Sequence, residues 1–190
     1  MAVEAQPRYD FEEYLAYERA SEVRHDFLAG ELFAMVGASR RHNLIVTNLV
    51  AALRPRLRGT GCEIYANDMR VRAAEADFAA YPDVVVACGE PRFHDREFDT
   101  LLDPTLIVEV LSPSTADYDR GTKFASFRRL ASLREYLLVS QAEVRVEHFA
   151  WQDDGTWRLA ETSDPEASLE LRSIGCRLAI RDVYEDLAEV

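Results

Sequence analysis

The chain has 190 residues, 48% of them hydrophobic, with 34 acidic against 22 basic side chains and a formal charge of -12. That size suits one domain, residues 1–190, with a core that needs neither disulfides nor a structural metal, and the acidic balance excludes an evenly basic nucleic-acid-binding surface. Three widely spaced cysteines, Cys62, Cys88 and Cys176, argue against a disulfide framework or zinc ribbon and point to a reducing cytoplasm, while the lack of any apolar window of about 18 residues argues against membrane insertion.

In chain order, Phe11, Tyr14 and Leu15 fall at helical spacing behind Asp10 as N-cap. Residues 25–28 and 31–36 flank Ala29-Gly30 and predict a β-hairpin, with Glu31 opening its second strand. From Ser39 to Leu57, the apolar residues Leu44, Ile45, Leu49, Ala52 and Leu53 recur three and four apart, as in a helix packed on a sheet. His42 lies in its first turn. Residues 62–66 and 69–72 read as strands, the second with Arg70 and Arg72 on a wet face. The run 81–87 is a strand covered on both faces, and 89–103 reads as a surface loop.

Thr105 to Leu111 is another apolar strand, ended by Ser112-Pro113, and it contains one charge, Glu109. A helix is expected over 121–131, strands over 135–140, 144–150 and 156–161, then short elements and a helix from Arg181. The economical architecture is a single α/β or α+β domain in which helices flank a central mixed sheet.

Three acids stand where strands should be apolar: Glu31, Asp83 and Glu109. Each alone has a bland explanation as a turn, cap or surface residue, but Glu109 is hardest to dismiss, because a buried carboxylate needs a cation or hydrogen bonds. Together they suggest a magnesium site, in which one or two carboxylates are joined by water and substrate phosphate. Lys123 would offset charge developing in a transition state. Basic residues cluster at Arg40-Arg41-His42 with Arg54, Arg56 and Arg58, and at Arg120, Lys123, Arg128, Arg129 and Arg134. Such clusters serve equally as solvated helix faces. Ser112, Ser114 and Thr115 read as turn and cap residues.

The strings 81–86 (YPDVVV), 108–115 (VEVLSPST) and 119–123 (DRGTK), with 28–32 (LAGEL), the helix start at 39–42 and 135–139 (EYLLV), resemble the Uma-two family of restriction-endonuclease-like proteins, within the PD-(D/E)XK nuclease superfamily. The resemblance spans nearly the whole chain. It implies a metal-dependent phosphodiesterase site in which Glu31 is the upstream glutamate, Asp83 the aspartate of the Pro-Asp pair and Glu109 the second acidic ligand. The superfamily lysine is expected two residues after Glu109, where this chain has Leu111. The resemblance suggests that Lys123 on the following helix takes its place.

The reading that results is a cytoplasmic endonuclease, a homodimer by base rate, hydrolysing DNA with Mg2+ or Mn2+. Asp83 and Glu109 would bind the metal, Glu31 and Lys123 assist, and Arg41, His42 and Arg120 contact substrate. Two alternatives stay open. One is an inactive nuclease fold that binds nucleic acid or protein; the other is a metal-dependent hydrolase of a small phosphorylated substrate.

Overall fold

The structure is a computed structural model that describes residues 8–35 and 37–187; Val36, expected to end the hairpin, lies outside them. Helix α1 (Phe11–Ala20) is capped reciprocally: the Asp10 carboxylate accepts from the Glu13 N–H and the Glu13 carboxylate from the Asp10 N–H, both at 2.8 Å. Strands β1 (His25–Leu28) and β2 (Glu31–Ala34) pair across Ala29-Gly30. Gly30 has φ +88°, and a Cβ there would stand 3.2 Å from the Tyr9 carbonyl oxygen, so the turn requires glycine.

Helix α2 (Arg40–Leu53) follows, capped by the Ser39 hydroxyl, which accepts from the His42 N–H. Then come β3 (Cys62–Ala66), β4 (Arg70–Ala73), β5 (Phe78–Ala80), β6 (Val84–Cys88), β7 (Thr100–Leu101) and β8 (Leu106–Leu111). A helical stretch runs through α3 (Ala116–Tyr118), a π-helical turn Asp119–Lys123 and α4 (Phe124–Phe127). The chain continues with β9 (Glu135–Ser140), β10 (Val146–Trp151), β11 (Trp157–Thr162), β12 (Ser168–Leu171), β13 (Cys176–Ala179) and α5 (Ile180–Val183).

The architecture is mixed α and β, as expected. A six-stranded sheet has the order β11-β10-β9-β8-β6-β3, with β8 and β9 parallel and its other pairs antiparallel. A five-stranded sheet runs β2-β1-β5-β4-β7, and β12 pairs with β13. Side chains alternate across β6 and β8. Val84, Val86, Val108 and Val110 pack under α2 with Ile45, Leu49 and Leu53. On the other face, Val85, Ile107 and Leu111 meet Phe124 and Phe127, together with Val71, Phe78 and Leu101 of the five-stranded sheet. Both faces of β6 are therefore covered, which accounts for its continuous apolar run. Each buried large side chain contributes roughly 1.5–3 kcal/mol.

Four local expectations are corrected. Arg70 is buried, with its guanidinium carbon 5.4 Å from both the Tyr14 and Tyr81 ring centroids, so that face of β4 is dry at Arg70 and half-buried at Arg72. The helical stretch begins at Ala116 rather than 121, and the segment 89–103 supplies β7. Cys62 and Cys88, opposite one another on β3 and β6, form a disulfide, which spacing along the chain had argued against. Among the described residues no helix is long and apolar enough to cross a membrane.

Candidate functional site

The two larger sheets and the 116–127 helical stretch converge on a cleft of about 650 Å³. From the six-stranded sheet comes Glu109, which shares the inward face of Ile107 and Leu111 by the period-two rule and is 2% exposed. From β1 of the other sheet comes Asp26, also buried, whose carboxylate accepts from the Tyr81 N–H at 3.3 Å. Between them the π-helical turn carries Asp119 and Lys123, both buried. A turn of this kind widens a helix locally and is frequent at functional sites.

Lys123 Nζ is the hub. It donates to Glu109 Oε1 at 3.2 Å and lies 3.4 Å from Asp119 Oδ1 and 3.9 Å from Asp26 Oδ2. Burying an ammonium costs several kcal/mol unless partners surround it, and here three carboxyls do. Burial alone would favour the neutral amine. The negative charges of Glu109, Asp26, Asp119 and Asp83 outweigh that and hold Lys123 well above the ordinary lysine range.

The acids shift upward too, which for a carboxyl favours the neutral form. Burial pushes the Glu109 carboxyl well above its usual range; Lys123 opposes this, while Asp119, Asp83 and Asp26 add to it. Burial likewise raises Asp26 and Asp119, again against the pull of Lys123. Tyr118, packed near Asp26 and Lys123, has its hydroxyl raised by burial and by the Asp26 charge. Four carboxyls thus share one ammonium, and the surplus negative charge is relieved only by protons or by another cation.

Asp83 sits just before β6, where the chain turns in from Tyr81-Pro82. Its Oδ2 accepts from the Val110 N–H at 2.7 Å, satisfying a backbone donor on β8 beyond the last β6 pairing. Its Oδ1 lies 2.9 Å from His42 Nε2, so the first turn of α2 is tied to the cleft. Ser39 donates to Gln141 Oε1 at 2.6 Å and closes the adjacent wall.

Of the residues singled out from sequence, Asp83, Glu109, Lys123 and His42 come together in the cleft. Leu111 stands in the core, and Lys123 reaches Glu109 from the helical stretch instead. Glu31 does not join them. It is exposed at the start of the edge strand β2, paired with Leu28, while Asp26 from the partner strand of the same hairpin enters the cleft. Arg120 is also elsewhere: its guanidinium is paired with Glu147 at 2.7 Å. Arg41 lies outside the lining and donates to the Gln141 carbonyl, acting on the wall from behind. Asp119 was missed, although its position four residues before Lys123 is the helical ion-pair spacing. Asp26 left a weaker signal, a single acid ahead of Phe27-Leu28.

Among the described residues, no three Asp, Glu, His or Cys side chains are grouped so as to hold a metal ion by themselves. Magnesium asks less, since one or two carboxylates suffice when water and phosphate oxygens complete its shell. Asp83 and Glu109 fit that demand. With Val84 opposite Val108, the next pair along these strands is Asp83 and Glu109, both line the cleft, and the surplus of carboxyl groups favours a cation there.

The profile of the Uma2 family, described as "Putative restriction endonuclease", matches residues 11–181. Two proteins of Synechocystis, named as uncharacterized proteins slr1290 and sll1609, are similar to the chain. The first is 37% identical over 182 residues, 96% of this chain and 94% of that protein. The second is 38% identical over 158 residues, 83% and 89% respectively. The crystal structure of a protein from Anabaena variabilis, titled a putative nuclease belonging to DUF820, superposes with a TM-score of 0.71 at 16% identity, covering 95% of this chain and 99% of its own. At that identity the likeness is one of fold.

Proposed function

Because the chain belongs to the Uma2 family of restriction-endonuclease-like proteins, we propose that it is a divalent-metal-dependent endonuclease, one domain over 1–190, that hydrolyses DNA phosphodiester bonds. The observation that carries this reading is the cleft in which three carboxyls lie within 4 Å of a single ammonium and a fourth, Asp83, acts on its charge from farther away. Asp83 and Glu109 would hold magnesium, or manganese in its place. A bound divalent cation polarises a phosphoryl oxygen and lowers the pKa of water, which supplies the nucleophile.

The chain's own groups do the rest. Lys123, fixed by Glu109 and Asp119, presents positive charge to the additional negative charge of the transition state. His42, held by Asp83 at 2.9 Å and lining the cleft, would contact a phosphate bound there. Asp26, rather than the Glu31 expected to assist as the upstream glutamate, is the acid of the first hairpin in the cleft, and it helps to keep Lys123 charged.

The test is incubation with plasmid and with single-stranded DNA, in magnesium, manganese or chelator, beside Asp83→Ala and Lys123→Ala variants. Metal-dependent cleavage lost in both variants is expected; cleavage that survives Asp83→Ala would sink the site. The acidic wall of the cleft, with Asp26, Asp68, Asp83, Glu109 and Asp119 against Arg24 and Lys123, favours a second reading, hydrolysis of a small phosphorylated substrate. Turnover of bis(p-nitrophenyl) phosphate with no cleavage of any DNA would select it.

A further inference from the structure

A second concavity, of about 240 Å³, opens beside β4 and beyond the end of α4 and shares no lining residue with the cleft. Three arginines line it, Arg72, Arg92 and Arg129, against one acid, Glu75. Although the chain has 34 acidic against 22 basic residues, only one of these three guanidiniums has a carboxylate partner. Arg92 has one, with Nε 3.0 Å from Asp103. Among the described residues, Arg72 and Arg129 are in no ion pair within 4 Å.

What these two side chains do touch fixes them without neutralising them. The Arg72 guanidinium lies 3.6 Å from the Phe11 ring centroid and donates from Nη1 to His94 Nδ1 at 3.0 Å. Glu12 and Asp77 act on its charge from farther away, and burial lowers its pKa in spite of them. Arg129 donates from Nη1 to the backbone carbonyl of Glu75 at 2.9 Å, not to that residue's carboxylate. Each fork therefore keeps donors for a ligand, since guanidinium carries five N–H groups. Leu102 and Leu130 form apolar wall between them, which lowers the local dielectric and strengthens attraction for an anion.

We propose that this pocket binds a phosphate group through Arg72 and Arg129, with Arg92 at its rim. Guanidinium forks match phosphate oxygens two at a time, and paired forks on fixed side chains discriminate phosphate from a monovalent anion. The phosphate belongs either to a free phosphorylated small molecule or to the backbone of a nucleic-acid strand. Binding here requires neither the cleft nor a metal, so the pocket is separable from the proposed hydrolysis.

The test is calorimetric titration of the full chain in chelator with pyrophosphate and, separately, with a single-stranded oligonucleotide. Arg72→Gln and Arg129→Gln are each expected to weaken pyrophosphate at least tenfold, and Glu75→Gln to tighten it severalfold; Arg177→Gln, at an exposed position on β13, should change nothing. Arg129 is exposed, so its variant remains informative if Arg72→Gln fails to fold. Loss of oligonucleotide binding in the same variants, with pyrophosphate competing, assigns the phosphate to a nucleic-acid backbone. Loss of pyrophosphate binding alone assigns it to a small molecule. Unaltered pyrophosphate affinity in Arg129→Gln, or none in the unmodified chain, overturns the proposal, whatever the cleavage assay gives.

Discussion

Lys123 and Glu109 meet at 3.2 Å, one from a helical turn and one from the centre of a strand, and both are almost completely buried. Removing one partner of a buried pair leaves the other uncompensated, at a cost of about 3–5 kcal/mol. Lys123→Met should therefore unfold in less urea than the unmodified chain at pH 8 and recover much of the difference at pH 5, where the freed carboxyls take up protons. Equal urea midpoints at pH 8 would mean that the ammonium contributes nothing to the fold.

The pH dependence of stability has two opposed limbs. Glu109, Asp26 and Asp119 have folded pKa values raised by burial, so their contribution is fully present below the unfolded value and is lost as pH rises through the folded ones. Asp99 behaves in reverse: Arg19, 2.8 Å away, lowers it from 3.8 to about 2, so its contribution is present above pH 3.8 and is lost as pH falls towards 2. Chemical denaturation across pH should show Asp119→Asn flattening the decline above the carboxylate range. Asp99→Asn should flatten only the acid limb.

Divalent cations should stabilise the chain through the same cleft. A ligand at a hundred times its Kd adds about 2.7 kcal/mol, which for a chain of this length raises Tm by roughly 5–10 °C. Glu109→Gln should abolish the magnesium-induced shift, and chelator should reverse it in the unmodified chain. A shift that persists in the variant would place the ion elsewhere.

The two acids of the first hairpin should separate cleanly. Glu31 is exposed and lines no part of the cleft, so Glu31→Ala should alter stability by less than about 0.5 kcal/mol and leave DNA cleavage unchanged. Asp26→Asn removes a carboxyl 3.9 Å from Lys123 and should lower the cleavage rate at least tenfold. The reverse pattern would restore Glu31 to the site.

Cys62 and Cys88 close a loop of sequence separation 26 and fasten the edge strand β3 to β6. A loop of that size corresponds to about 3.5 kcal/mol in the chain-entropy account. Dithiothreitol should lower the urea midpoint accordingly, and a Cys62→Ser, Cys88→Ser double variant should be indifferent to it.

Much of this was legible from the sequence because local pattern and tertiary environment agree. β3 and β9 span the residues that their composition suggested, and the continuous apolar runs of β6 and β8 reflect cover on both faces. Glu109 was visible as a charge inside such a run. What escaped was set by contacts distant in sequence. Whether Asp26 or Glu31 enters the cleft depends on how the hairpin docks, and Arg70 reads as exposed until Tyr14 and Tyr81 are placed around it. The cysteine pairing likewise follows from strand register, which spacing does not encode.

The seat of Lys123 bears on the order in which this protein is assembled. A cleft of four carboxyls without an internal cation would resist closing until a dissolved ion arrived, coupling maturation to metal supply. Here the compensating charge is covalently part of the chain and drawn in by the π-helical turn, so the two sheets can close around it during folding. Closure of the cleft therefore needs no dissolved cation, and the metal loading proposed above would be an event separate from folding.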